Sequence, residues 1–255
     1  MSADPGSESV PDRAASEDPP GVVARRLMRR LDRAALATAR CDGAGWPYPS
    51  LVLVALDHDA SPLLLVSALA EHTRNLQADD RVGLLFDGTA GLAEPLAGAR
   101  VTVLGRASPT GQPRHRARYL ARHPGAAVYQ GFGDFACYRV EVERAHLVGG
   151  FGRVHRIDRE ALILDAATVG GLAEEEAALV RQMAPERVRA LAMIALGTAG
   201  PAEAEGWAVT GIDPEGCDLR RGAAVARIDF DRPVSPTVGA VGVALQRLAV
   251  GGDFR

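Results

Sequence analysis

Short apolar segments, each followed by turn-forming residues, occupy most of the first part of this chain. They read LVLVAL, LLLVS, RVGLLF and ARVTVLGRAS, and Gly, Pro and Asp separate them. Segments of this length with turn residues between them are typical of antiparallel sheets that close into barrels. The pattern predicts a mainly β N-terminal domain that forms an antiparallel barrel of about six strands.

Helical patterns flank and interrupt these strands. Apolar residues recur at helical spacing over residues 22–34 and over residues 70–80. Residues 114–130 predict an Arg-rich surface helix, which Pro124 breaks. Residues 134–157 read as a pair of strands or as one bent strand, because a glycine cluster interrupts the pleat.

The character of the sequence changes after residue 160. Residues 172–197 carry a long helical pattern that Pro185 interrupts, and strand patterns and a final helical pattern at 236–250 follow. This succession predicts a second, smaller α+β domain. The predicted organisation is a disordered tail at 1–21, a barrel domain at 22–160 and an α+β domain at 172–250.

Composition excludes several functions. All 29 basic residues are Arg, so the chain holds no lysine for Schiff-base or amine-base chemistry. A formal net charge of −3 provides no basic field for nucleic acid. The N-terminal segment lacks the regions of a signal peptide, and no apolar run reaches the length of a membrane span. Three widely spaced cysteines fit reduced thiols, and we expect a cytoplasmic protein without membrane insertion.

The stretch SALAEHTRNL joins the end of a predicted strand to the start of a predicted helix. It groups Ser67, His72, Thr73 and Arg74 around one turn. Free N–H groups and the positive end of the helix dipole favour a phosphate or carboxylate there, and an arginine adds a bidentate contact. The alternative is an ordinary exposed helix start.

Two further stretches place polar groups on strands. In GWPYPS, Trp46, Tyr48 and Ser50 alternate, so one strand face presents aromatic rings and a hydroxyl. The alternative is a hairpin that packs its aromatic residues. In GFGDFACYRVEV, Asp134 could orient a histidine, as carboxylates behind metal ligands do, or it could be a solvated residue at a strand edge.

The stretch LVGGFGRVHRI does not match the dinucleotide fingerprint GxGxxG. Gly150 and Gly152 would let a flat ligand or another backbone approach closely. Arg153 could meet a carboxylate, and His155 could ligate a metal. The alternative is a bulged strand with basic groups on its surface.

A resemblance to a known family rests on five segments taken in order: WPYPSLVLVALD, LLLVSALAEHTRNLQADDRVGLL, ARVTVLGRA, ARYLARHPGA and DFACYRVEVERAHLVGGFGRV. They resemble the FMN-binding split-barrel superfamily typified by pyridoxamine 5′-phosphate oxidase. More narrowly, they resemble its haem-utilisation branch, in which a split barrel degrades or carries haem. The resemblance covers residues 22–160, and the segments GIDPEGCDLR and RIDF are similar to the small α+β domain often appended to that branch.

The resemblance implies a homodimer of six-stranded split barrels with a planar cofactor, haem or FMN, at the subunit interface. In flavin-binding relatives the phosphate lies near the turn that here contains Ser67, His72, Thr73 and Arg74. In haem-binding relatives the same region faces the haem. The glycine stretch that matches residues 149–152 then lets the ring lie against the barrel.

Two departures from the haem-degrading relatives concern the axial ligand and the appended domain. Those relatives carry an axial histidine near the chain end or just past the barrel, whereas the tail LAVGGDFR has none. His155, His72 or a partner's residue would have to serve instead. The appended domain usually opens with a Met-Asn, acidic, His pattern, where this chain has Ala184 and Arg187.

The first function that the resemblance implies is a haem-binding and haem-degrading oxygenase. His155 would be the iron ligand and Asp134 the orienting acid, and Arg74 or Arg153 would pair with the propionates.

The second is an FMN-dependent oxidoreductase acting on a small substrate. Arg74 and Thr73 would hold the phosphate, and Tyr48 and Ser50 would line the isoalloxazine face. The third is a non-catalytic dimeric protein that binds haem or flavin.

Overall fold

The computed structural model of the protein describes residues 18–129, 131–150, 152–197, 200–230, 234 and 242–243. Nearly all of the predicted tail at 1–21 and of the predicted helix at 236–250 lies outside these ranges. The first helix begins at Pro20, two residues before the predicted start of the barrel domain.

The N-terminal unit is a curled antiparallel sheet. Its strands are β1 (Arg33–Ala39), β2 (Pro47–Leu53), β3 (Ala55–Leu56), β4 (Pro62–Ser67), β5 (Arg81–Asp87), β6 (Arg100–Pro109), β7 (Phe135–Val148) and β8 (Val154–Asp158). They follow the order β2-β1-β5-β6-β7-β4-β3, with β8 paired to β7. The split-barrel prediction is confirmed. The sheet has eight strands rather than six, because β3 is too short to show in the sequence and β8 forms a separate strand.

Short helices cover the ends of this sheet. They are α1 (Pro20–Arg30), α2 (Glu71–Ala78), α3 (Pro113–Arg122) and α4 (Arg159–Leu162), with 3-10 turns at Pro95–Ala97 and Pro124–Tyr129. Pro124 ends the helical pattern as predicted, since α3 stops before it and a 3-10 turn follows. The core between the sheet and α1 contains Met28, Leu36, Leu84 and Phe86, all fully buried.

The glycine cluster after β7 forms the tight turn of a hairpin with β8. Gly149 N donates to Arg153 O at 2.8 Å. Gly150 has a φ of +113°, and a Cβ at this position would lie 2.8 Å from the carbonyl oxygen of Ala97. Only glycine fits both the turn and the close approach of the Pro95–Ala97 segment. Of the two interpretations of residues 134–157, the strand pair is therefore confirmed.

The C-terminal unit packs helices on a second, three-stranded sheet. Its elements are α5 (Ala166–Val169), α6 (Leu172–Arg181), α7 (Pro185–Leu196), β9 (Ala208–Asp213), β10 (Gly216–Arg221) and β11 (Ala224–Asp229). Leu172, Leu191, Ile212 and Leu219 form the centre of its own apolar core. In the described part of the chain, no helix combines the length and the apolar character needed to span a bilayer.

Ion pairs join the two units through the arginine-bearing faces of α1 and α3. Arg25 donates to Glu215 from Nε at 2.9 Å and from Nη2 at 2.7 Å. Arg118 donates to Glu176 of α6 and to the Ile212 carbonyl, the latter at 3.1 Å. The expectation of a surface helix at 114–130 is wrong for this face of α3, because α6 and β9 bury it.

Candidate functional site

The turn between β4 and α2 is fastened to the start of β7. Ser67 Oγ donates to Asp134 Oδ2 at 2.5 Å and accepts from Leu69 N at 3.1 Å. The Asp134 carbonyl accepts from Ala68 N at 2.7 Å. Ser67 lies opposite Phe135 in the sheet register, so these two side chains project from the same face. The structure therefore brings Ser67 and Asp134 together, and we call residues 67–74 the α2 turn.

Thr73 and His72 lie in the first helical turn of α2. Thr73 is buried, and its hydroxyl has no hydrogen-bond partner among the described residues. Backbone N–H groups at a helix start also lack partners within the helix. Burial lowers the pKa of His72, so its imidazole is neutral at pH 7 and keeps a lone pair for a metal. The turn thus presents a hydroxyl, N–H groups and one neutral imidazole.

Arg74 lies on the exposed side of the same turn. Its Nη2 is 2.5 Å from Glu71 Oε2, one helical turn earlier. Exposed pairs of this kind contribute little to stability. Arg74 can therefore exchange Glu71 for an anionic ligand at low cost.

A hydrogen-bond chain ties α2 to the first hairpin. Asn75 Nδ2 donates to Thr38 Oγ1 at 3.0 Å, and Thr38 Oγ1 donates to the Tyr48 carbonyl at 3.5 Å. Tyr48 and Ser50 lie on the half-buried face of β2, and the buried Ser50 hydroxyl has no partner within the described chain. Both predicted residues of β2 therefore lie on the strand that this chain connects to the helix bearing His72.

An exposed aromatic cluster borders the α2 turn, and the sequence analysis missed it. We use this name for Tyr129, Phe132 and Phe135. The Tyr129 and Phe135 rings stack with centroids 5.1 Å apart, and Phe132 lies 6.4 Å from Phe135. Leu69 in the α2 turn is 78% exposed, and Phe132 in the cluster is 54% exposed. The segment YQGFGDF has an aromatic residue at every third position, which could have indicated this cluster. The sequence analysis names only Asp134 in that segment as a candidate.

The remaining predicted residues lie at the far end of β7. Gly150 and Gly152 are in the β7–β8 turn, Arg153 follows them, and the exposed His155 lies opposite Leu147 in the register. Twelve residues separate Phe135 from Leu147, which is about 40 Å along an extended strand. Within one chain the structure does not place Asp134 beside His155. Asp134 instead hydrogen-bonds to Ser67, and the two groups of residues could meet only across two subunits.

Known proteins from several organisms are similar to this chain. The chloroplastic haem oxygenase HOZ of Arabidopsis thaliana is 40% identical over 109 residues, which are 42% of this chain and 33% of HOZ. The chain thus matches about a third of that protein's length. The structure of Atu2129 from Agrobacterium tumefaciens, a protein of unknown function, is 28% identical with a TM-score of 0.75, over 94% of this chain and 98% of that one. A haem binding protein from Mycobacterium smegmatis is 28% identical with a TM-score of 0.54, over 91% and 98%.

A family comparison covers the barrel itself. The model of the CREG beta-barrel family matches residues 16–163, more than half of the chain. This range includes α1 and every strand of the first sheet, and it confirms the split-barrel resemblance. The chain therefore belongs to the CREG beta-barrel family.

Proposed function

We propose that this protein binds haem at the α2 turn and the aromatic cluster, as a homodimer in the cytoplasm, and degrades it. The proposal rests on one observation, the contact between an aromatic surface and a polar helix start. An exposed patch of aromatic rings adjoins a helix start with an unpartnered, buried hydroxyl. Exposed apolar patches mark binding sites, and a planar macrocycle with carboxylates needs both surfaces. The names of HOZ and of the mycobacterial structure support haem as this ligand.

Side chains of the α2 turn have complementary tasks in this site. His72 is the histidine of this turn, and burial keeps it neutral for iron ligation. Arg74 pairs with a propionate after it leaves Glu71. Asp134 and Ser67 form a fixed hydrogen-bonded pair that can order water near the ligand. His155, with Arg153 and the glycines of the β7–β8 turn, can contribute to the same ligand only from the partner subunit.

Bound haem iron would supply the oxygen chemistry of degradation. The protein contributes a ligand, an apolar surface and polar groups at one edge. The aromatic cluster excludes water from one face of the ring. The Asp134 carboxylate, held by Ser67 at 2.5 Å, is placed to accept or relay a proton at that edge.

The homodimer part of the proposal rests on the outer face of the barrel sheet. Ala35 lies opposite Leu51 on one side and Leu85 on the other. Leu51 is 71% exposed, and Leu53, Leu85 and Leu104 are also exposed. An apolar sheet face of this kind marks a subunit interface. Free thiols at all three cysteines support a reducing compartment such as the cytoplasm.

FMN is the second candidate ligand, and one observation favours it. Two hydroxyls, those of Thr73 and Ser50, are buried without partners among the described residues. A phosphate at the helix start and a flavin ring along β2 would satisfy both. In this case the protein is an FMN-dependent oxidoreductase on a small substrate, and His72 carries no metal.

Haemin titration followed by absorption spectroscopy tests the proposal. The wild-type protein should develop a Soret band that saturates at one haem per subunit. His72→Ala should shift this band and weaken binding at least about tenfold, and Phe132→Ala should weaken it by about 1–3 kcal/mol through lost apolar contact. Ascorbate and oxygen should then bleach the band. A bleaching failure with intact binding would leave a non-catalytic haem carrier.

Two control variants give the titration its meaning. Leu196→Ala changes an exposed apolar residue of the C-terminal unit and should leave binding unchanged. His155→Ala should also leave the spectrum unchanged if His72 is the ligand. Loss of the Soret shift in His155→Ala, with His72→Ala unaffected, would contradict His72 and assign the ligand to the partner's strand end. Saturable FMN binding without a stable Soret band would replace haem by flavin.

A further inference from the structure

A small cavity lies between the barrel and the C-terminal unit, away from the proposed haem site. Its volume is about 10 Å³, and its walls include Arg29, Arg118, Arg122, Thr210 and Asp218. A cavity of this size holds a single small particle, such as one water molecule or one monatomic ion. Three guanidinium groups and one carboxylate therefore surround a space for a single small ligand.

Two of these guanidinium groups keep N–H groups without partners. Arg122 Nη2 donates to the Arg29 carbonyl at 3.0 Å, whereas Arg122 Nη1 has no acceptor among the described residues. Arg29 Nε and Nη1 also have no hydrogen-bond acceptor among the described residues. Arg29 Nη1 lies 3.0 Å from Asp213 Oδ2 but without the alignment of a hydrogen bond. Buried donors left unpaired are costly, so these groups indicate an acceptor in the cavity.

Charge distinguishes the kind of acceptor. Arg122 is only 5% exposed and stays charged, because a guanidinium does not lose its proton in proteins. In the described part of the chain, the carboxylate at ion-pairing distance from Arg122 is Asp218, at 3.9 Å. Asp218 is already engaged by Arg227 at 2.9 Å. Among the described residues, Arg122 therefore has one carboxylate at 3.9 Å, which it shares with Arg227. A buried cation with so distant a counter-ion is incompletely compensated, and a bound anion would compensate Arg122 where a water molecule would not.

From these observations we infer that one halide ion, chloride in the cell, binds in this cavity and links the two units. The volume excludes carboxylates and phosphates. Arg122 and Arg29 line the cavity from the barrel side, and Thr210, whose hydroxyl donates to the Asp218 carbonyl at 3.4 Å, lines it from β9 of the C-terminal unit. The ion therefore lies between elements of both units. Its binding does not depend on the haem site.

Crystals grown in sodium bromide test this site directly. Anomalous scattering from bromide should give a peak in the cavity, at hydrogen-bonding distance from Arg122 Nη1. Electron density for a water molecule without an anomalous signal would overturn the inference. This measurement uses the unaltered protein, so it decides the matter even where a variant does not fold.

Thermal unfolding in chloride and in gluconate at equal ionic strength is the solution test. A ligand that binds only the folded state stabilises it in proportion to the logarithm of its concentration. Above the Kd, each tenfold rise in chloride should raise the Tm by about 3–6 °C. Arg122→Leu should abolish this rise, and Arg81→Leu, which removes an exposed arginine of the barrel, should retain it. Equal Tm values of the wild-type protein in the two salts would refute chloride binding.

Discussion

Thr73 is a buried polar residue whose hydroxyl the described part of the fold does not use. Its hydroxyl is buried, and no described group accepts or donates a hydrogen bond to it. The first turn of a helix commonly places such a hydroxyl against backbone N–H groups, but Thr73 Oγ1 makes no such contact. The folded chain bears the desolvation cost of this hydroxyl, and a bound anion would recover it.

Thr73→Val is the variant that separates binding from stability. Valine has nearly the same shape and removes the unpaired hydroxyl, so the free energy of unfolding should stay the same or rise by about 1 kcal/mol. Ligand affinity should fall by about 1.5–3 kcal/mol, the value of a hydrogen bond to a charged group. Urea unfolding and a haemin or FMN titration measure the two quantities. A loss of stability with unchanged affinity would show that the hydroxyl serves the fold.

Single residues also show which contacts could not be predicted from the sequence. The strand-to-helix turn that contains Ser67, His72, Thr73 and Arg74 lies where the sequence predicts it, and the binding role of these residues stays a prediction. The contact of Asp134 with Ser67 was not foreseen, since it depends on the antiparallel pairing of β4 with β7 across 67 residues. Gly150 was considered for a ligand, but its φ of +113° and the nearby Ala97 carbonyl explain it by turn geometry.

Among the strands, β1, β2 and β5 combine a buried face with an apolar outer face. In β1 the buried residues Ala34 and Leu36 alternate with exposed Ala35 and Ala37. An exposed face made of alanine beside the leucines of β2 and β5 provides a flat surface for a second copy of the sheet. In an isologous dimer, each residue of this face would occur twice in the interface, once from each subunit.

Leu51→Glu tests this face. The charge would be buried twice in a symmetric interface, so the Kd of the dimer should rise at least about 30-fold, or ~2 kcal/mol. Sedimentation velocity over a range of protein concentrations measures the change. Leu196→Glu, on an exposed leucine at the end of α7, is the matched control and should sediment like the wild-type protein. If Leu51→Glu leaves the Kd of the dimer unchanged, the interface is a different surface.

The element pattern could be read well from the sequence wherever one face of an element is apolar. Short apolar segments located β4, β5 and β6. The two prolines marked real helix boundaries, since α3 ends before Pro124 and α7 begins at Pro185. The arginine face of α3 was wrongly predicted to lie on the surface, and the partners of the α1 arginines were not predicted, for one physical reason. An amphipathic helix shows which residues are polar but not whether water or a carboxylate meets them. Asp213 and Glu215, which meet them here, come from the last part of the chain.

The two units are held together by a buried network of charges, and the pKa values of two of its acids, Glu176 and Asp213, are lowered. Glu176 on α6 lies within 3.0 Å of His58 Nε2 and accepts from Ile212 N at 2.7 Å. Burial alone would raise the pKa of its carboxyl, but Arg118 and His58 outweigh this effect and lower the pKa to about 2. The pKa of Asp213 is likewise lowered by Arg227 and Arg29 against its burial.

This network predicts an acid-sensitive junction. A carboxyl with a lowered pKa in the folded state stabilises the fold above its ordinary pKa and loses that effect as the pH falls. For Glu176 the loss should occur between about pH 5 and pH 2 and amount to roughly 3 kcal/mol. Glu176→Gln should be less stable at pH 7 and should lose less stability on acidification.

Urea unfolding of the wild-type protein and of Glu176→Gln at pH 7, 5 and 3 provides the measurement. Glu141→Gln, which changes an exposed acid paired with Arg159, should follow the wild-type curve within about 0.5 kcal/mol. Parallel loss of stability in the wild-type protein and Glu176→Gln between pH 5 and pH 3 would argue against a role for this carboxyl in the junction.

The ion pair between Arg25 and Glu215 also affects the order in which parts of the chain fold during synthesis. These residues are 190 positions apart, so helix α1 leaves the ribosome long before its acidic partners exist. At ordinary translation rates the delay is on the order of 10–40 s. During this time the arginine N–H groups that later bind Glu176, Asp213 and Glu215 are hydrated, and the barrel can close while this polar face stays in contact with water. Docking of the C-terminal unit then becomes a late, non-local step, of the kind that slows folding in chains with distant contacts.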